Sequence, residues 1–422
     1  MDHIETANMD AYRKLCAADP ILVDVLPARE ALPNYRANTI LTSGPTLDWD
    51  EYDGGQRAAI IGGALFEGLA RDEMEAETLI RAGKIEVAPC HRYASVGSLA
   101  GIYTASMPVL VVRNADHGNM AYCNFYEGTN PRRLNYGVYD NGVKERLLYI
   151  QDVVAPVIGD AVRSSGGIPL RPIMERALHM GDELHSRNTA ASLLFMRELF
   201  PALLRTAMKD PAPASATLEA MTADHYFFLR LSMAAAKATA DAAHGIEYSS
   251  IVTAMSFNCR HFAVRISGLG DQWFTGPHPI VQAKLFEGHS QDEITWMGGE
   301  SIIIETIGLG GLAQAAAFPL QSYQGGSPEV MIANNLQMYD IVVSENSNFK
   351  IPYFSYRGTP TAIDLHKIMT TGTTPIMDVG IAGRNGGQIG AGLVRAHLGC
   401  FEKAWRAFER RYPDVGVQNE SA

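Results

Sequence analysis

"HMGDELHSRN", residues 179–188, decides how the middle of this chain is laid out, because an apolar helical pattern stands on either side of it. If the preceding helix ran through, His179, Asp182, Glu183 and Ser186 would share one face at i, i+3, i+4 and i+7. His179, Asp182 and His185 would then be compatible with a divalent metal, which needs neutral imidazoles and a carboxylate. Gly181 and Asn188 favour the other reading, a break. Glycine interrupts a helix, and Asn188 suits the N-cap of the pattern that restarts at Thr189. The loop would then carry Arg187 to a helix start whose free N–H groups favour an anion. A plainer reading stands beside it, in which Asp182 and Asn188 only cap helices and the histidines pack.

Outward from this stretch the middle of the chain is helical. "VKERLLYIQDVVAPVIGDAVRSSGG" (143–167), "PLRPIMERALHMG" (169–181), "TAASLLFMRELFPALLRTAMK" (189–209) and "ATLEAMTADHYFFLRLSMAAAKATADAAHG" (216–245) each have helical spacing and Gly, Pro or capping boundaries. Before them, residues 1–55 read as an irregular lead-in with one strand in "ILVDVLP". Gln56 to Arg81 reads as a helix that stops at Gly83. "KIEVAPCH", "MPVLVVRN" and "NMAYCNFYEG" read as strands. After Ile246, "YSSIVTAMSFN", "HFAVRISGLG", "ESIIIETIG" and "MYDIVVSENSNF" are β-branched or alternating runs between turns, and "GLVRAHLGCFEKAWRAFERRY" (392–412) reads as a closing helix. The expected class is mixed α+β. It has an N-terminal α/β region (1–140), a central helical layer (141–245) and a β-rich region closed by a helix (246–422).

Composition narrows the function. The 422 residues are 47% hydrophobic and 19% charged, normal for a globular chain with a sizeable core, and the net charge is -11. An acidic chain is a poor general binder of nucleic acid or anionic membrane, although a few buried arginines can still reverse the field around a small anion. The five cysteines are scattered and never spaced C-x-x-C. That pattern speaks against a disulfide framework or structural zinc and for a reducing compartment. The first residues lack a signal-peptide core, and no apolar run reaches the roughly 18–20 residues a bilayer crossing needs. A cytoplasmic protein is expected.

Four further clusters repeat one chemical theme. "YRGTPTAID" places Arg357, Thr359 and Thr361 about a Gly-Pro turn, which suits a carboxylate or phosphate as well as an ordinary surface turn. "SIIIETIGLGGLAQAAAF" reads as a strand running into Gly308, Gly310 and Gly311. It formally fits a dinucleotide fingerprint, yet Pro319 halts the helix and no ribose-binding acid follows, so a nicotinamide or flavin fold is rejected. A glycine turn offering backbone donors to an anion remains. "GIAGRNGGQIGAG" adds Arg384 and Gln388 on glycine-rich backbone. "PCHRYASVGSLAGIYTASMPV" adds His91 and Ser98. Neither a nucleophile elbow nor a Walker A motif is present. Arginine, hydroxyl and amide groups on glycine turns suit a small anionic substrate and acid–base work.

These phrases, in this order, carry a resemblance. "LTSGPTLDWDEYDGGQRAAIIGGALFEGLA", "PCHRYASVGSLAGIYTASMPV", "AYCNFYEG", "ALHMGDELHSRN", "SGLGDQWFTGP", "ESIIIETIGLGGLAQAAA", "YRGTPTAID" and "GGQIGAGLV" resemble the YlbE/YahG-like (AllG-like) family over about residues 20–410. That family includes a subunit of the oxamate carbamoyltransferase of anaerobic allantoin degradation. The resemblance implies a multi-subunit enzyme in nitrogen catabolism, with an FdrA-like chain and a third protein as partners. Its reaction interconverts oxalurate plus phosphate with oxamate plus carbamoyl phosphate. The Ser-Thr-Arg-Thr phosphate loop of common transcarbamylases is absent, so another scaffold must serve. A His–basic pair is expected after "GIA", where Gly383 and Arg384 stand instead.

The resemblance transfers no catalytic residue, so roles rest on chemistry. Arg187, Arg357 and Arg384 are expected to clamp the anion, with Asn188, Thr359, Thr361, Gln388, His91, Ser98 and Gly310 around it. His179 or His185 would move protons, oriented by Asp182 or Glu183. No cofactor is specified beyond the divalent cation already weighed, and a homo-oligomer is expected. The alternative function is a stand-alone, metal-dependent or metal-free hydrolase or lyase of a small amide or N-carbamoyl acid. A non-catalytic assembly subunit is the third reading.

Overall fold

A computed structural model of the chain describes residues 2–413. At its centre lies the helix Leu229–Ala242, in which Ala234, Ala235, Ala236, Ala238 and Ala240 are fully buried. The helix is buried on nearly every side although it carries Arg230, Lys237 and Asp241, and methyl-sized side chains let its backbone approach neighbours closely. It packs on the strands Pro108–Asn114 and Met120–Asn124. These belong to a five-stranded sheet in the order Ser95–Val96, Met120–Asn124, Pro108–Asn114, Pro20–Pro27, Ile168–Pro169. Neighbours there are antiparallel except for the first pair. The run "PVLVVRN" is almost continuously apolar because both faces of its strand are covered.

The C-terminal half is built from antiparallel strands. One sheet orders Trp273–Gly276, Phe262–Ile266 and Val252–Phe257. Another orders Val281–Leu285, Gln388–Arg395, Ile376–Gly383 and Ile294–Thr295. The largest apolar core joins Ala11 and Leu22, Phe195 and Leu231, and Ile303 and Ala362, so it draws on all three stretches of the chain. The fold is mixed α+β, as the pattern of helical and alternating runs indicates. Among the described residues, no helix is long and apolar enough to cross a membrane.

Several local expectations are corrected. The lead-in is not irregular throughout: Asp2–Ala17 is a helix whose buried face is Ile4, Ala7, Asn8, Ala11 and Leu15, an i, i+3, i+4 stripe that the polar residues between them obscure. Gln56 to Arg81 is two helices, Gly54–Phe66 and Glu73–Arg81, parted at Gly68 with φ +72°. Residues 216–245 likewise divide, into Pro211–Thr222 and Leu229–Ala242. The β-branched run Ile302–Ile304 is no strand. It lies in successive 3-10 turns, Ser301–Ile303 and Glu305–Ile307, buried on every side, so tertiary packing overrides strand propensity. Arg357–Ile363 is a strand paired with Val342–Ile351 and not a turn. The closing helix begins only at Leu398, because Gly392–Arg395 still pair in the sheet.

Candidate functional site

The helix Arg171–His179 does end at the joint, and Thr189–Ala207 starts a new one. Gly181 (φ +95°) and Leu184 (φ +75°) take the left-handed conformations that turn the chain. Asn188 stands at the N-cap position without a side-chain cap bond. Its Nδ2 donates instead to the His185 carbonyl at 2.8 Å, bracing the loop. The cap comes from Asp182, whose Oδ2 accepts the Ala191 N–H at 2.8 Å while Oδ1 pairs with Arg187. The anion expected at this helix start is therefore supplied by the chain itself, and Arg187 is spent on it.

Beside the joint lies a buried acidic group. Glu183 gathers the N–H groups of His185, Ser186 and Arg187 on its carboxylate. Burial and the facing Asp378 raise its pKa well above the usual range. Glu305 Oε1 meets His185 Nδ1 at 2.8 Å and accepts from the Gly311 and Asp378 N–H groups at 3.1 and 3.0 Å. Burial lowers the His185 pKa, but the Glu305 carboxylate and its hydrogen bond outweigh that and leave it raised. Asp378 accepts from Gln314 Nε2 at 2.8 Å and from Gln324 Nε2 at 2.6 Å. Burial, then Glu305, push it up to about 7. Gly310 has φ +58°, and a Cβ there would lie 2.5 Å from Glu305 Oε1 and 3.1 Å from His185 Cβ. The glycine is what lets those two side chains meet.

His185 also forms part of the wall of a cavity of about 330 Å³, together with Ser98, Ser186, Gln388 and two arginines. Arg133 sits on a loop whose turn is fixed by Glu127, which accepts the Leu134 and Asn135 N–H groups at 2.7 and 2.9 Å. Its guanidinium lies 4.2 Å above the Tyr136 ring, and Nη1 donates to the Tyr126 hydroxyl and the Gly128 carbonyl, both at 3.0 Å. Arg230 is the second residue of the central helix, and its Nη1 meets Met233 Sδ at 3.7 Å. Both arginines are buried, at 6% and 5% exposure, and the Nε of each lacks a hydrogen-bond partner among the described residues. Among the described residues, neither forms an ion pair with a carboxylate. Tyr136 donates to Gln388 Oε1 at 3.1 Å, and Gln388 Nε2 donates to the Tyr323 hydroxyl, which completes a polar wall.

The structure brings His185, Ser98 and Gln388 to one cavity, and sets Glu183 and Gly310 immediately behind it. The remaining expected residues lie elsewhere. His179 is exposed and meets Tyr356 edge-on at 5.3 Å. Arg357 pairs with Glu345 at 2.7 Å and covers the Tyr339 ring, while Arg384 is exposed and donates to the Asp292 carbonyl. Thr359 and Thr361 are buried against Gly308. His91 packs edge-on to Trp273, 3.7 Å from Glu300. The metal grouping weighed from spacing, His179 with Asp182 and His185, does not assemble, since His179 lies at the surface and Asp182 is paired.

Sequence reasoning did not single out Arg133, Arg230, Glu305 or Asp378. The signal available for three of them was a lone charge inside an apolar run: "FFLRLSM", "IIIETIG" and "PIMDVGI". A charge so placed is either buried and matched or has a task.

Comparison with known proteins agrees over nearly the whole length. The family model described as "Oxamate carbamoyltransferase subunit AllG" matches residues 85–301. The chain is 38% identical to the "Uncharacterized protein YahG" of Escherichia coli (strain K12), covering 97% of this chain and 87% of that one. It is also 38% identical to the oxamate carbamoyltransferase subunit AllG of the same organism, covering 96% and 97%. A crystal structure of a conserved protein of unknown function from Enterococcus faecalis V583 superposes with a TM-score of 0.93 at 36% identity, over 96% and 97% of the two chains. With the cavity, the fold and the length of these matches together, the chain belongs to the AllG family.

Proposed function

We propose that this chain is the AllG-type subunit of an oxamate carbamoyltransferase-type enzyme in allantoin-derived nitrogen catabolism. Its cavity binds a small carboxylate or ureido anion, and it works in the cytoplasm beside FdrA-like and further partner subunits. The observation that carries this reading is the pair Arg133 and Arg230, buried at one cavity with no carboxylate ion-paired to either among the described residues. Desolvating a guanidinium costs several kcal/mol unless a counter-charge answers it. An oxamate or oxalurate carboxylate would answer two, and forked N–H groups suit its geometry. Arg230 at a helix start adds the favourable end of the helix dipole.

In the transfer the amide nitrogen of oxamate attacks the carbamoyl carbon. A C–N bond forms, the C–O bond to phosphate breaks, and phosphate leaves with the nitrogen's proton. Negative charge gathers on the carbamoyl oxygen. His185, held at Nδ1 by Glu305, lines the cavity, where an Nε2–H would stabilise that oxygen. The other acid–base candidates do not reach the cavity wall.

The test is calorimetric titration and thermal shift with oxamate, oxalurate and carbamoyl phosphate. A bound anion should raise the melting temperature. Arg133→Gln or Arg230→Gln should each weaken binding by about 10- to 100-fold, the worth of a charge-assisted hydrogen bond. Undiminished binding in both variants, or none in the wild type, would refute the assignment. Hydrolysis of oxalurate by the isolated chain would favour the stand-alone hydrolase instead.

A further inference from the structure

We propose that His185, Glu305 and Asp378 form a binding site for one first-row divalent cation of the Mn²⁺ or Zn²⁺ class, at the wall of the anion cavity. Each side chain offers one ligand atom, and these atoms lie within 4.8 Å of one another. Around an ion bonded at about 2.1 Å, ligand atoms sit about 3–4 Å apart, so small side-chain rotations close the shell. The closest pair, His185 Nδ1 and Glu305 Oε1, is already at 2.8 Å.

Two buried acceptors beside this group are unused. Among the described residues, Glu305 Oε2 and Gln314 Oε1 have no hydrogen-bond partner, although both residues are fully buried. The Gln314 amide is docked on Asp378 through Nε2 at 2.8 and 3.0 Å from the two carboxylate oxygens, so its unpartnered Oε1 is only one amide group away from that carboxylate. Interior acceptors are normally satisfied, and the exceptions call for an explanation. The charge count points the same way. Glu183, Glu305 and Asp378 have no solvent exposure and face one imidazole, while Arg187 is committed to Asp182. A dication would supply the counter-charge for whichever of these carboxyl groups are ionised and would give the idle oxygens a partner. One imidazole among carboxylate and amide oxygens suits Mn²⁺ or Zn²⁺ better than an all-oxygen calcium or magnesium cage. Bound at Nδ1, the ion would leave His185 its Nε2–H toward the cavity. The site does not depend on which anion the cavity takes.

The test uses the full chain, stripped with EDTA and titrated with MnCl₂ (electron paramagnetic resonance and calorimetry) and with ZnCl₂ (calorimetry). About one ion per chain should bind, and Asp378→Asn and Glu305→Gln should each weaken it by about 100-fold while keeping the wild-type circular dichroism. The absence of saturable binding by the wild type overturns the site, as does unchanged binding in either folded variant. Should the variants not fold, crystals of the wild type grown with MnCl₂ decide. An anomalous peak among the three residues supports the site, and its absence there refutes it. Arg133→Gln should keep the ion, so loss of the anion and loss of the cation are read separately.

Discussion

Two sets of arginines in this protein have opposite fates. Arg187 and Arg357 stand in conspicuous polar clusters, and each ends paired with a carboxylate, Asp182 and Glu345 respectively. Arg133 and Arg230 stand in inconspicuous surroundings, and each ends buried beside tyrosine rings with no ion pair to an acid among the described residues. A guanidinium already matched by its own chain has little left to offer a ligand. Availability, not local polarity, is what distinguishes a binding arginine from a structural one.

The largest effect expected of this comparison is loss of anion affinity in the double variant Arg133→Gln/Arg230→Gln. Two charge-assisted contacts are worth about 4 kcal/mol together, or about 1000-fold in Kd. Calorimetry showing less than a tenfold loss would break the contrast.

Next comes Asp182→Ala, which removes the cap at Ala191 and leaves Arg187 without its partner. Chemical denaturation should show a loss of about 3 kcal/mol, below the full cost of a buried broken pair because Arg187 is partly exposed. An unchanged midpoint would mean that the joint is held by the apolar core alone.

A third measurement sharpens the contrast through pH. Burial raises Asp224 from 3.8 to about 6, against the lowering effect of Arg133 and Arg230. Because its folded pKa lies above its unfolded one, its contribution to stability is full below about pH 4 and is lost as pH rises through about 6, on the order of 2 kcal/mol. Ionised Asp224 also offsets part of the arginines' field, so anion affinity should rise as pH falls through 6. Asp224→Asn should flatten both profiles over that window. Identical slopes in variant and wild type would remove Asp224 from the account.

The smallest effect belongs to Arg357→Ala. An exposed pair contributes about 0–1 kcal/mol, so stability should shift within about 0.5 kcal/mol and anion affinity not at all. A clear loss of affinity would restore the strand Arg357–Ile363 as part of the site.

Much of the local fold was legible in the sequence, and the reasons are local. The break at Gly181, the restart at Thr189 and the strands at Pro108–Asn114 and Val252–Phe257 follow from turn residues and apolar runs. The Asp2–Ala17 helix was not read, since its buried stripe includes Asn8 and is diluted by polar neighbours. The Ile302–Ile304 run misled, because β-branched residues signal burial as well as strand and no partner strand meets them. Of the expected site residues, His185, Ser98 and Gln388 reached the cavity, and the acids that orient His185 came from elsewhere.

The sequence by itself determined the mixed class, the helical character of the middle of the chain and the joint at residues 179–188, since each is written in the spacing of neighbouring residues. Only the tertiary structure decided which charges cancel. His185 meets Glu305 across 120 positions, and Gln314 meets Asp378 across 64. Spacing along a chain fixes which face of an element is buried, but whether a buried charge is matched depends on which distant element it is pressed against.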